Sequence, residues 1–127
     1  MTKYILEPQY SIRLCYSTST MLFIILYGLY CKLYLLSLIY FSGLLSSLNH
    51  WRSPQYDMKR LIDLSVIRCG GLYYYYLSWF IPSIYYFVLY HFWIIMSVLC
   101  YFASCYYRNN NQDLCSKIHF NMHIFGN

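Results

Sequence analysis

Two histidines, His119 and His123, stand four residues apart in KIHFNMHIFGN, and Ser46 and His50 hold the same spacing in SSLNHWR. Residues at i and i+4 share one face of a helix. Two imidazoles so placed can bind one zinc ion, and a third ring brought from elsewhere leaves the fourth tetrahedral position open to water. His50 is the candidate third ligand. Asp63 could then orient the water, whose pKa zinc lowers to about 7, and Ser46 could donate to a developing oxyanion. Together these residues would make a hydrolytic centre.

Each has a second use. An H-x-x-x-H pair at a membrane surface is also satisfied by solvent or lipid headgroups. Asp63 at the start of a helix would favour the positive end of the dipole, or pair with Arg60 or Lys59. Ser46 and Ser47 would satisfy backbone carbonyls or let helices approach closely. Every one of these uses accounts for one residue and none for the set.

The elements that must position the five residues are apolar. The 127 residues are 60% hydrophobic, 23% aromatic and only 10% charged, against about 25% charged in an average soluble domain. A soluble core of this size could not hide so much apolar surface. The expected fold is all-α, a single multipass integral membrane helical bundle over residues 1–127, with spans at 21–48, 60–80 and 83–107 and a short C-terminal helix at 114–127. Segment 21–48 carries one charge, Lys32, and exceeds the ~30 Å hydrocarbon thickness at ~1.5 Å per residue. The terminal segment is too short to cross, so the helix bearing His119 and His123 is expected to be poorly anchored. Residues 1–20 lack the pattern of a cleaved secretory signal. Insertion is expected through the first span.

A net charge of +5 arises from nine Lys and Arg against four acidic residues. The basic residues flank apolar runs, which speaks for topology signals and against nucleic acid. In an alternating bundle Arg52, Lys59, Arg60, Arg108 and Lys117 fall on one membrane face, opposite Lys3 and Arg13. The positive-inside rule puts loops 49–60 and 108–117 in the cytoplasm. His50, Asp63, His119 and His123 fall on that same face, with Trp51 as an interface anchor. Lys32 and Arg68 are expected to snorkel, and His91 to make a polar contact between helices. The eighteen tyrosines read as packing and interface belts. Six cysteines contain no C-x-x-C pair, and they read as small packing residues. No P-loop, G-x-G-x-x-G or G-x-S-x-G spacing occurs.

The order Ser46, His50, Asp63, His119, His123 resembles the pattern shared by alkaline ceramidases, adiponectin receptors and their relatives. The resemblance implies an intramembrane zinc site with three histidine ligands, a water held by the serine and the aspartate, and hydrolysis of amide bonds in ceramide-like lipids. Members of that family have seven transmembrane helices. A chain with three spans would be a minimal, truncated or degenerate relative. Two functions therefore stand at this point: a zinc-dependent lipid amide hydrolase in the bilayer, or a non-enzymatic small membrane protein with a structural or homo-oligomerising role.

Overall fold

The computed structural model describes residues 5–126, which form six helices: α1 Pro8–Ser19, α2 Met21–Tyr30, α3 Tyr34–Trp51, α4 Met58–Ser78, α5 Ile84–Tyr107 and α6 Gln112–Gly126. Among the described residues there is no strand. Proline opens α1, where its missing N–H and fixed φ suit a first turn. Thr20 joins α1 to α2 with a helical backbone, φ −62° and ψ −22°. The two therefore continue as one rod over Pro8–Tyr30, 23 residues long.

Segment 21–48 is not one helix. After Tyr30 the chain reverses at Lys32, which adopts a left-handed φ of 61°. The Leu33 N–H bonds the Gly28 carbonyl at 2.7 Å and the Lys32 N–H bonds the Leu29 carbonyl at 3.0 Å. Those two bonds are the Schellman closure of a helix, here built on a lysine instead of the usual glycine. The close approach is needed at Gly28, where a Cβ would stand 2.5 Å from Ser37 Oγ. Ser37 in turn donates to the Ile25 carbonyl at 3.1 Å, sewing α3 back onto α2. Hydropathy sees one apolar run here because the turn contains neither proline nor a polar loop.

The remaining expected elements match closely: α4 for 60–80, α5 for 83–107 and α6 for 114–127. Among the described residues two helices, Pro8–Tyr30 and Ile84–Tyr107, are long and apolar enough to cross a membrane. Helix α4 has the length but carries Lys59, Arg60, Asp63 and Arg68. The rod also changes the topology. Arg13 does not oppose the basic loops; it pairs with Asp113 at 3.0 Å, beside the α5–α6 turn. Lys3 lies outside the described residues.

Packing runs α4, α3, the α1–α2 rod, α6, α5, in an open ring. Near their connecting turn α4 and α5 touch through Trp79 and Phe87, with ring centres 5.5 Å apart. Towards the other end an open cavity of about 1040 Å³ lies between them, backed by α3 and α6. Two small apolar clusters hold the ring: Leu6, Leu14, Trp51 and Cys115 where α1, α3 and α6 meet, and Met21, Ile25 and Leu44 in the α2–α3 hairpin. Otherwise the bundle is polar inside and apolar outside. Among the described residues seven serines and three histidines are buried while Phe23, Leu72 and Tyr85 face outward. A soluble fold has the reverse arrangement.

Candidate functional site

The last turns of α3 carry Ser46, Ser47, His50 and Trp51, and the second turn of α4 faces them with Asp63. Ser46 Oγ donates to Asp63 Oδ1 at 3.0 Å and Ser47 Oγ donates to the same oxygen at 2.5 Å. Asp63 is buried, and among the described residues it makes no ion pair with Arg60 or Lys59. Nor does it serve the helix start. That position belongs to Asp57, whose Oδ1 accepts the Arg60 backbone N–H at 3.2 Å. Ser46 also bonds the Gly43 carbonyl at 3.1 Å, so its hydroxyl divides between the backbone and Asp63. Ser47, the more buried of the two, was not singled out by spacing. Its signal was position: three residues before His50, it shares that ring's helical face.

Helix α6 brings His119 and His123 to the same cavity that His50, Ser47 and Asp63 line. Their rings stand 5.2 Å apart, one helical turn. Trp51 is not an exposed interface anchor: it is 7% exposed, with its ring 4.6 Å from His50 and 5.1 Å from His119. It therefore joins α3 to α6 through the two imidazoles.

Ser104 Oγ donates to the Tyr101 carbonyl at 2.8 Å and stands 3.2 Å from His119 Nδ1, which gives that nitrogen a hydrogen-bond partner. With that bond made from an Nδ1–H, a lone pair is left on Nε2. A partner on the far nitrogen is what orients a ligating histidine. The other two rings are incomplete. Among the described residues His50 Nδ1 and His123 Nε2 are buried and have no hydrogen-bond partner, a deficit of about 1–3 kcal/mol each.

The tail that carries two of these rings is well held. Arg13 Nη1 donates to Ser116 Oγ at 2.6 Å, and Gln112 Oε1 accepts the Glu7 N–H at 2.9 Å. Further along, Ser97 Oγ donates to the Met122 carbonyl at 3.2 Å and Trp93 stacks on Phe125 at 5.4 Å. Helix α1, which hydropathy passes over because of its serines and threonines, supplies half of this anchorage.

Three imidazoles, two with orphaned nitrogens, suit zinc in kind and number. Among the described residues, however, no three His, Cys, Asp or Glu side chains already stand close enough together to hold a metal ion. The rings would have to draw together around it. His91 is apart from this group, near the α4–α5 turn, where Nδ1 donates to the Phe87 carbonyl at 2.8 Å and Ser78 Oγ lies 3.5 Å from Nε2. Comparison of the chain with protein-family models, with curated proteins and with solved structures finds no match.

Proposed function

We propose that the chain is a multipass integral membrane protein whose polar end is a zinc-dependent hydrolytic site for lipid amides, in the manner of the alkaline ceramidases and adiponectin receptors that its five-residue pattern resembles. One observation carries the reading: Asp63, gripped by Ser46 and Ser47, lines the same cavity as His50, His119 and His123. Membrane residence is supported by α5, since only 6% of its most apolar window is buried; a soluble core helix of that hydropathy would be covered. Orientation follows from charge. Arg13, Arg52, Lys59, Arg60, Arg108 and Lys117 gather at the site's end and Lys32 lies at the other, so the site's end faces the cytoplasm.

His50, His119 and His123 would hold the ion. Zinc, when bound there, supplies Lewis-acid polarisation of a carbonyl oxygen and a water acidified to a pKa of about 7. The chain's own residues do the rest. Asp63 accepts a proton on its carboxylate and returns it to the leaving amine nitrogen, while the two serine hydroxyls fix the carboxylate's direction. Trp51 keeps His50 and His119 apart from bulk water. The apolar walls between α4 and α5 receive the acyl chain.

Purified from zinc-replete cells, the protein should contain about one zinc per chain, the content of a three-histidine site. A His119→Ala, His123→Ala double variant should contain none. Metal-free wild type would overturn the reading. The absence, among the described residues, of a ready-made three-ligand set favours a second one, a non-enzymatic small membrane protein with a structural or homo-oligomerising role whose histidines are incidental. Under it, replacing Ser46, His50 and Asp63 by Ala, Gln and Asn leaves assembly intact.

A further inference from the structure

Four acidic residues serve the whole chain, and each is committed. Glu7 accepts from the Gln9 side-chain amide, Asp57 caps α4, Asp63 takes two serine hydroxyls, and Asp113 bridges Arg13 and Lys117. Among the described residues none pairs with the guanidinium groups of Arg60 and Arg108. Both side chains are half-buried and both line the cavity, one where α4 begins and the other where α5 ends.

The two cations nevertheless gather at one side chain. The Arg60 guanidinium carbon lies 4.5 Å above the Tyr56 ring centre. Arg108 first, and then Arg60, draw the Tyr56 phenol below its ordinary range. A bond from Arg108 Nη2 to Cys105 Sγ, 3.1 Å, steadies the second guanidinium. Two like charges held at the edge of an apolar cavity repel one another. An anion between them removes that cost. Guanidinium forks match phosphate oxygens two at a time, and a phosphate has oxygens enough for both.

What lies behind the pair selects the rest of the ligand. Leu64, Ile67, Val98 and Phe102 line the cavity below the arginines. At about 1040 Å³ it reaches the top of the roughly 300–1,000 Å³ range of small-molecule pockets. We propose that Arg60 and Arg108 form the headgroup site for a phosphate-bearing amphiphile whose hydrocarbon tail runs between α4 and α5. The site needs neither zinc nor hydrolysis.

The test uses the full chain in an uncharged detergent, with thermal unfolding as the readout and zinc content measured on the same samples, so that the two proposals fail separately. Dodecyl phosphate should raise the unfolding midpoint saturably, at concentrations where dodecanol and inorganic phosphate do not. An Arg60→Gln, Arg108→Gln double variant should bind dodecyl phosphate at least about tenfold more weakly, the scale of a lost charge-assisted hydrogen bond. An equal response to dodecanol, or unchanged affinity in the double variant, overturns the headgroup site. Inorganic phosphate binding as tightly as dodecyl phosphate overturns the tail. Should the double variant not fold, dodecyl trimethylammonium decides on the wild type: stabilisation equal to that by dodecyl phosphate overturns the proposal, and none supports it.

Discussion

At the end where α4 meets α5, His91 donates Nδ1–H to a carbonyl of its own helix, faces Ser78, and sits among Tyr75, Trp79, Phe87 and Tyr90 with ring centres 4.1–5.8 Å away. At the opposite end His50 and His123 are more deeply buried than the half-buried His91, yet among the described residues each keeps a ring nitrogen with no hydrogen-bond partner. The same side chain is thus spent on packing in one place and left incomplete in the other. A buried imidazole marks a candidate site by what its nitrogens lack as well as by its burial.

The largest test of that contrast compares two changes that replace an imidazole by a ring without nitrogens. His50→Phe should abolish zinc binding, while His91→Phe should leave metal content unchanged, both read by elemental analysis of the purified proteins. Next comes the carboxylate. Asp63→Ala strands the buried Ser47 hydroxyl, while Ser46 keeps the Gly43 carbonyl, and should destabilise the fold by about 2–3 kcal/mol, whereas Ser78→Ala at the His91 end should cost about 0.5–1.5 kcal/mol, both by equilibrium unfolding. A smaller effect of opposite sign is expected at the hairpin. Lys32→Gly relieves a left-handed non-glycine and should stabilise by about 1 kcal/mol in the same assay.

The smallest effect concerns the latch that holds the incomplete end together. Lys117 first, and then Arg13, hold the Asp113 carboxyl below its ordinary value. A depressed carboxylate contributes stability above its unfolded pKa and loses it as pH falls through the folded one. Acidification below about pH 4 should therefore loosen α6 from α1. Hydrogen exchange across α6, corrected for intrinsic rates, should quicken in wild type and show no such step in Asp113→Asn.

Much of the bundle was legible in the residues. Helices α4 and α5 follow from apolar runs bounded by polar loops at their outer ends and by Pro82 between them, and the i, i+4 spacings of Ser46 with His50 and His119 with His123 do put each pair at one end of the molecule. The lysine at φ 61° was not legible, because a Schellman turn is normally announced by glycine. Helix α1 was hidden for a different reason: its serines bond back to its own backbone, as Ser11, Ser17 and Ser19 do, so a polar composition concealed a regular helix. Ser47 and Ser104 could not be ranked above the other serines until α4 and α6 were seen to face them. Trp51 was misread because a tryptophan beside an arginine looks alike at an interface and in a core.

The docking of α1 against α6 has a consequence for how the protein is made. Chain synthesis delivers α1 before α6, so the segment bearing His119 and His123 meets a receiving surface already waiting in the nascent protein. Arg13 is therefore a late-acting residue with an early address. Alterations placed ahead of Pro8, such as an affinity tag, should be felt at the opposite terminus before they are felt in the middle of the chain.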